Sequence, residues 1–157
     1  MEDFSLHLLD IAENALTAGA SRIEIRIIEK VEENVMRIEI KDNGCGMDEQ
    51  TAKQVLDPFY TTKPNKRVGL GLPLLAQAAR EAGGDIEIQT APGKGVEIHA
   101  TFQLNHPDLK PLGDVIETVG TLACTHPQVQ FIFEHRQDDE IICRWNNTES
   151  TNPTRTE

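Results

Sequence analysis

The sequence predicts an α+β fold, an α/β sandwich with a mixed, largely antiparallel sheet covered on one face by helices. Three observations carry this expectation. Alternating apolar runs come in pairs, "SRIEIRIIE" with "VMRIEIKD" and "DIEIQT" with "GVEIHATFQL". Amphipathic stretches of helical spacing separate and precede the pairs. The joins inside each pair, "EKVEEN" and "APGKG", are acidic or glycine-containing turns.

Taken in order, residues 4–18 place Phe4, Leu8, Ile11 and Ala15 at helical spacing, and Gly19 supplies a stop. Two strands follow. The second runs into "MRIEIKDNGCGMDE", which raises a question, because Asn43-Gly44 after an alternating run is a strong hairpin signal. No second strand comes next. Gly46 and Met47 lead instead into "DEQTAKQVL", a helix near 48–56 with acidic residues in its first turn. The segment therefore reads as a pocket rim with Asp42 at its mouth. A connector, "DPFYTTKPNKRVGLG", precedes the amphipathic helix "LPLLAQAAREA", which has Pro73 in its first turn and Gly83-Gly84 at its end. The last strand pair closes a unit over 1–104 with the order α-β-β-α-loop-α-β-β. Residues 105–112, with Pro107 and Pro111, read as a linker. Over 105–145 the pattern predicts an α-β-β extension: the helix "LGDVIETVGTLAC", then a hairpin of "VQFIFEH" and "EIICRW" around "RQDDE". That helix is apolar enough to pack on the domain or on a second copy, so a homodimer is one expectation. From 146 to 157 the polar tail "NNTESTNPTRTE" is expected to be disordered.

Composition narrows the function classes. The chain has 157 residues, 38% hydrophobic and 26% charged, with a formal net charge of -11. Such acidity argues against nucleic acid as a general partner. No apolar run reaches the length of a membrane span, and the acidic start "MEDFSLHLLD" is unlike a secretory signal. Cys45, Cys124 and Cys143 form no CxxC, which fits a reducing cytoplasm. Cys124, His126, His135 and Cys143 match no usual zinc spacing.

Asp10 and Asn14 lie four apart on the first helix and share a stripe offset from the apolar one. Alone, such a pair fits a solvated face, Asp42 alone fits a turn former, and "GLGL" before a helix is a weak signal. The chain has no GxxxxGK[ST], and neither Gly44/Gly46 nor Gly69/Gly71 extends to GxGxxG. The order is more specific than the parts: Asn in the first helix, Asp-x-Gly-x-Gly after a strand, a Phe-Tyr-Thr-Thr-Lys connector, then Gly-Leu-Gly-Leu opening a helix. This arrangement resembles the Bergerat-type, or GHKL, ATP-binding domain of the histidine-kinase-like ATPases. That domain is shared by sensor histidine kinases, anti-sigma-factor serine kinases, MutL-type mismatch-repair ATPases, type II topoisomerases and the Hsp90 chaperone. The resemblance covers residues 4–104. "ENALTAGASRIEI" and "IKDNGCGM" resemble the mismatch-repair branch; "DPFYTTK" and "GLGLPLLAQAA" resemble the kinase branch, which the short lid makes the closer one.

The resemblance implies ATP and Mg2+ as ligands. Asp42 would accept from the adenine amine. Gly44 and Gly46 would let backbone approach the base, and Met47 would touch the ring. Asn14 would ligate magnesium. The amides of Gly69, Leu70, Gly71 and Leu72 would face the phosphates from a helix N-terminus, with Thr62, Lys63, Arg67 and Val68 completing the lid. Lys63, Lys66, Arg67 and Lys94 concentrate positive charge in these segments.

Three departures bear on activity. Asp10 stands where hydrolytic members and serine kinases carry a Glu general base. It is shorter by one methylene, so it acts through a water or as an outer contact to magnesium. Glu13 is a rival base, but it points about a quarter-turn away. Arg67 replaces the first Gly of the kinase lid pattern, either as a phosphate clamp or as a solvated residue. A dimerisation helix with a phosphoacceptor histidine is not recognisable, since His7 lacks that motif. These features imply a free-standing domain, a small kinase for Ser, Thr or His on a separate protein, with Asp10 as its catalytic residue. The alternative is an ATP/ADP-sensing subunit of a larger complex, a redox complex among the candidates, with little turnover. A DNA-repair role is the weakest reading, given the charge.

Overall fold

The computed structural model describes residues 4–55, 71–148 and 154–155. The elements run α1 (Phe4–Thr17), β1 (Arg22–Lys30), β2 (Val35–Asp42), α2 (Glu49–Gln54), α3 (Gly71–Glu81), β3 (Ile86–Thr90), β4 (Val96–Gln103), α4 (Val115–Thr125), β5 (Gln130–Gln137), β6 (Glu140–Asn146) and β7 (Thr154–Arg155). The strands form one seven-stranded sheet in the order β3-β4-β2-β1-β5-β6-β7. Every neighbouring pair is antiparallel except β1 with β5, which run parallel from Arg22↔Gln130 to Glu29↔Gln137.

Strand alternation gives the sheet two unlike faces. Ile23, Ile25 and Ile27 of β1, Ile38 and Ile40 of β2, Ile98 and Phe102 of β4, and Phe131 and Phe133 of β5 are buried on one side. The helices cover that side. Phe4, Leu8, Ile11, Ala12 and Ala15 recur at helical spacing along α1 and are all buried. α1 packs against both α3 and α4, while α3 rests on β3 and β4 and α4 on β5. Each side chain of this size that leaves water contributes about 1.5–3 kcal/mol.

The opposite face is polar. Strand register sets Glu87, His99, Glu39, Arg26, Glu134 and Arg144 in one row across six strands. Ion pairs run along and beside that row. Glu134 accepts from Arg136 Nε at 2.8 Å and from Arg144 Nη2 at 2.9 Å. His99 lies between Glu39 and Glu97, at 3.4 and 3.3 Å.

Residues 105–145 extend this same sheet, because β5 lies along β1 from Arg22 to Glu29. The expected hairpin is present, and its turn places Asp138 at φ 54 with Oδ1 accepting from the N–H of Val31. Of the tail expected to be disordered from 146 to 157, the described residues 146–148 and 154–155 join the sheet or its hydrogen bonds. Asn146 ends β6, the Asn147 side chain accepts from Phe131 N–H and donates to Val129 C=O, and Thr154–Arg155 pair with β6 as β7. The physical reason is that β6 offers an open edge whose backbone groups still take partners. Composition does not register such a template. Among the described residues, no helix is long and apolar enough to cross a membrane.

Candidate functional site

The C-terminal half of α1 supplies one wall of a cavity of about 340 Å³. Ile11, Asn14 and Ala15 line it at i, i+3 and i+4, and Thr17 and Ala18 add to the wall where the helix ends. Asp42, Val96 and Ile98 bring the ends of β2 and β4 to it. The loop after β2 adds Cys45, Gly46 and Met47, α2 and its end add Thr51 and Val55, and α3 adds Leu72. Among the described residues, the lining is apolar apart from a few groups, of which Asp42 alone carries a formal charge.

Asp42 is half-buried, and its Oδ1 accepts the N–H of Gly44 at 2.8 Å. Burial pushes its carboxyl above the usual carboxylate range, against the opposing pull of the Gly44 and Val96 backbone N–H groups. The charged form is thus held in a place that taxes it, as happens where a carboxylate serves recognition.

The glycines were expected to make room for a base; in the structure their bareness also serves contacts within the chain. Gly46 has φ +70, and a Cβ there would lie 2.1 Å from the carbonyl oxygen of Ala91. Its bareness serves the close approach of two loops, one after β2 and one between β3 and β4. Gly95 completes the contact from the other side, since its Cβ would lie 2.0 Å from the Asp42 carbonyl oxygen. Gly44 is buried between Ala18 and the Asp42 side chain.

Asn43 is taken up by bonds to the start of β1. Its Oδ1 accepts from the N–H groups of Ser21 and Arg22 at 2.8 and 2.9 Å, and its Nδ2 donates to Ser21 Oγ at 2.8 Å. It fastens the loop to the start of β1 and does not line the cavity. The Asn-Gly pair is therefore neither a hairpin turn nor a pocket wall: Asn43 is a fastener, and Gly44 the donor to Asp42. Two further bonds hold the loop, Cys45 N–H to Ala18 C=O at 3.0 Å and Gly93 N–H to Cys45 C=O at 2.7 Å.

Of the residues singled out from sequence, Asn14, Asp42, Gly46, Met47 and Leu72 line one cavity, with Gly44 bonded to Asp42 and Gly71 opening α3. Asp10 is not among the lining residues; one turn before Asn14, the wall on this helix is made by Ile11. Thr62, Lys63, Arg67, Val68, Gly69 and Leu70 lie outside the described residues. The apolar walls Ile11, Ala15, Val96 and Ile98 were not foreseen as site residues. Their only signal was that they share the inward parity of α1 and β4.

With this geometry in view, the comparisons with known proteins decide the family. Residues 3–106 match the family described as Histidine kinase-, DNA gyrase B-, and HSP90-like ATPase. The chain belongs to that family. A putative sensor protein of Shewanella frigidimarina is 38% identical over 103 residues, covering 64% of this chain and 16% of that protein. The signal transduction histidine-protein kinase AtoS of Escherichia coli is 40% identical over 108 residues, covering 68% of this chain and 17% of AtoS. The chain thus spans about a sixth of the length of these relatives. The Aquifex aeolicus MutL ATPase domain, solved with ADP, superposes with a TM-score of 0.56 at 18% identity, covering 92% of this chain and 63% of that one. At that identity the likeness concerns the fold.

Proposed function

We propose that the chain binds ATP with a magnesium ion in this cavity and passes the γ-phosphate to a serine, threonine or histidine of a separate protein. The observation that carries the reading is Asp42, a half-buried carboxylate in an otherwise largely apolar cavity that also presents Asn14. An ionised carboxylate is acceptor-only and matches the exocyclic amine of adenine. The walls of Ile11, Met47, Val96 and Ile98 suit a flat aromatic ring. The amide oxygen of Asn14 is a hard donor of the kind magnesium takes. Magnesium-ATP supplies the transferable phosphoryl group, and the chain's own part is to bind and orient it. The likeness to AtoS, a signal transduction histidine-protein kinase, supports the kinase side.

One observation favours a second reading. A general base must reach hydrogen-bond distance of the proton it takes, and Asp10 does not line the cavity. An ATP/ADP-sensing subunit of a larger complex, with little turnover, fits that placement. Either way the partner is a protein, and the cytoplasm is the compartment that supplies the nucleotide.

Calorimetric titration of ATP and ADP with magnesium tests the reading, on wild type, Asp42→Ala and Asn14→Ala, with the γ-phosphate followed in parallel. Binding should vanish in Asp42→Ala and lose its magnesium dependence in Asn14→Ala. Label appearing on a protein from a native lysate selects the kinase, and saturable binding without transfer selects the sensor. Absence of binding by wild type overturns both.

A further inference from the structure

Thr90, the last residue of β3, places its hydroxyl where three segments of the cavity rim meet. Its Oγ1 accepts the N–H of Met47 at 3.0 Å and donates to the carbonyl oxygen of Gly95 at 2.6 Å. Met47 is a wall of the cavity, whereas Thr90 is not among the lining residues. Gly95 packs directly on the Asp42 backbone, and the next residue, Val96, pairs with Asp42 across the β2–β4 ladder and lines the cavity. One oxygen outside the cavity therefore spans from the Met47 wall to the turn that backs Asp42.

A hydroxyl is suited to this because it offers a donor and acceptor lone pairs on a single atom. Valine has nearly the same shape and offers neither. Without the hydroxyl, the Met47 N–H and the Gly95 C=O, both part of a half-buried rim, lose this partner, and leaving such groups unpaired is costly. The rim segments would then shift to find other partners. Hydrogen bonds weaken steeply with angle and distance, so the shift reaches the carboxylate of Asp42, which lines the same cavity as Met47 and whose backbone packs on Gly95.

We propose that Thr90 is a positioning residue for base recognition, holding Met47 and Gly95 so that Asp42 meets the 6-amino group of the purine. This rests on the reading of the cavity as an ATP site. The consequence is a specific one: losing the Thr90 hydroxyl diminishes the contribution of the purine amino group, over and above any loss of stability.

The test titrates two ligands against the full chain, ATP and purine ribonucleoside triphosphate, which carries hydrogen in place of the 6-amino group. Wild type should prefer ATP about tenfold or more, the range of a hydrogen bond to a charged group. In Thr90→Val and Thr90→Ala the preference should fall to about threefold or less, as for a weakened bond. Thr90→Ser, which keeps the hydroxyl, should retain the wild-type preference. Unfolding midpoints of the same variants separate the two roles, since a merely structural residue lowers the midpoint and scales both affinities alike. If Thr90→Val fails to fold, Thr90→Ala and Thr90→Ser carry the comparison. The proposal is overturned if Thr90→Ala keeps the wild-type preference, or if Thr90→Ser loses it as fully as Thr90→Ala. Failure of wild type to prefer ATP would instead overturn the reading of the cavity, and Thr90's role with it, before any variant is made.

Discussion

Asp42 is a residue whose proposed task and whose stability cost come from the same burial. Its folded-state carboxyl is raised above 3.8, so the folded protein holds the proton more tightly than the unfolded chain does. The cost of ionisation is absent below that value and enters as the pH rises through it, so at neutral pH it is fully present. Asp42→Asn keeps the shape and the acceptor for Gly44 while removing the charge. We expect its unfolding midpoint to exceed that of wild type at pH 7, with the gain disappearing on acidification below 3.8. ATP binding should nonetheless be lost, because the amide has one oxygen, already held by Gly44, and presents a donor to the donor of adenine. A midpoint at or below wild type at pH 7 would contradict the account. At this scale the sequence was legible where chemistry is local. Asp42, Gly44 and Gly46 could be picked from the order of motifs that resembles the GHKL domain. The reason for Gly46 could not, because it lies in the carbonyl of Ala91, distant in sequence, and nothing in "NGCGM" encodes that approach.

Elements show the same division between what is local and what is not. Alternation in "RIEIRII" and "VEIHATF" identifies strands and tells which side chains share a face. It does not tell which strand lies beside which, since period 2 is common to every pairing. Hence β5 was foreseen as half of a hairpin, and its parallel pairing with β1 was not. α4 was foreseen as apolar, and its buried residues seat against α1 and β5. Gly120 interrupts this helix at a position where an added Cβ meets nothing within 4 Å. Glycine within a helix costs about 0.5–1 kcal/mol relative to alanine through backbone entropy. Gly120→Ala should therefore stabilise the protein by about that amount, read as a rise in the urea midpoint without a change in slope. A lower midpoint would mean that α4 needs the bare backbone for a contact outside the described residues.

On β5 and β6, Glu134 belongs to the sheet's polar face yet is only 9% exposed. Burial pushes its carboxyl up, but the hydrogen bonds and charges of Arg136 and Arg144 outweigh that and hold it below the usual value. The sign is opposite to that of Asp42. This stabilisation is present above the unfolded value of 4.5 and is lost as the pH falls through the depressed folded value. Glu134→Gln should cost about 1 kcal/mol at neutral pH, and the difference from wild type should shrink in acid. A pH-independent difference would show that ionisation of Glu134 is not what stabilises this part of the sheet.

For the whole molecule, the family match ends at residue 106 while the sheet continues through β5 and β6. β1 lies at the centre of that sheet because β5 occupies its second edge, and α4 covers part of α1. The N–H of Phe4 donates to the C=O of Pro111 at 3.0 Å, tying the first helix to the segment that leads into α4. Removing everything after residue 104 would turn β1 into an open edge and uncover apolar surface that α4 and β5 now bury, which favours aggregation. The two parts should therefore unfold as one. The chain provides the means to see this, since its single tryptophan, Trp145, sits on β6, beyond the family-matched region. Fluorescence in a urea titration reports on the extension, and far-ultraviolet circular dichroism reports on all the helices and strands. Coincident midpoints and slopes are the expected outcome of a cooperative unit. A fluorescence transition at lower urea would mean that the extension melts alone. In that case β1 must tolerate an open edge, and residues 105–145 would be a detachable covering for it.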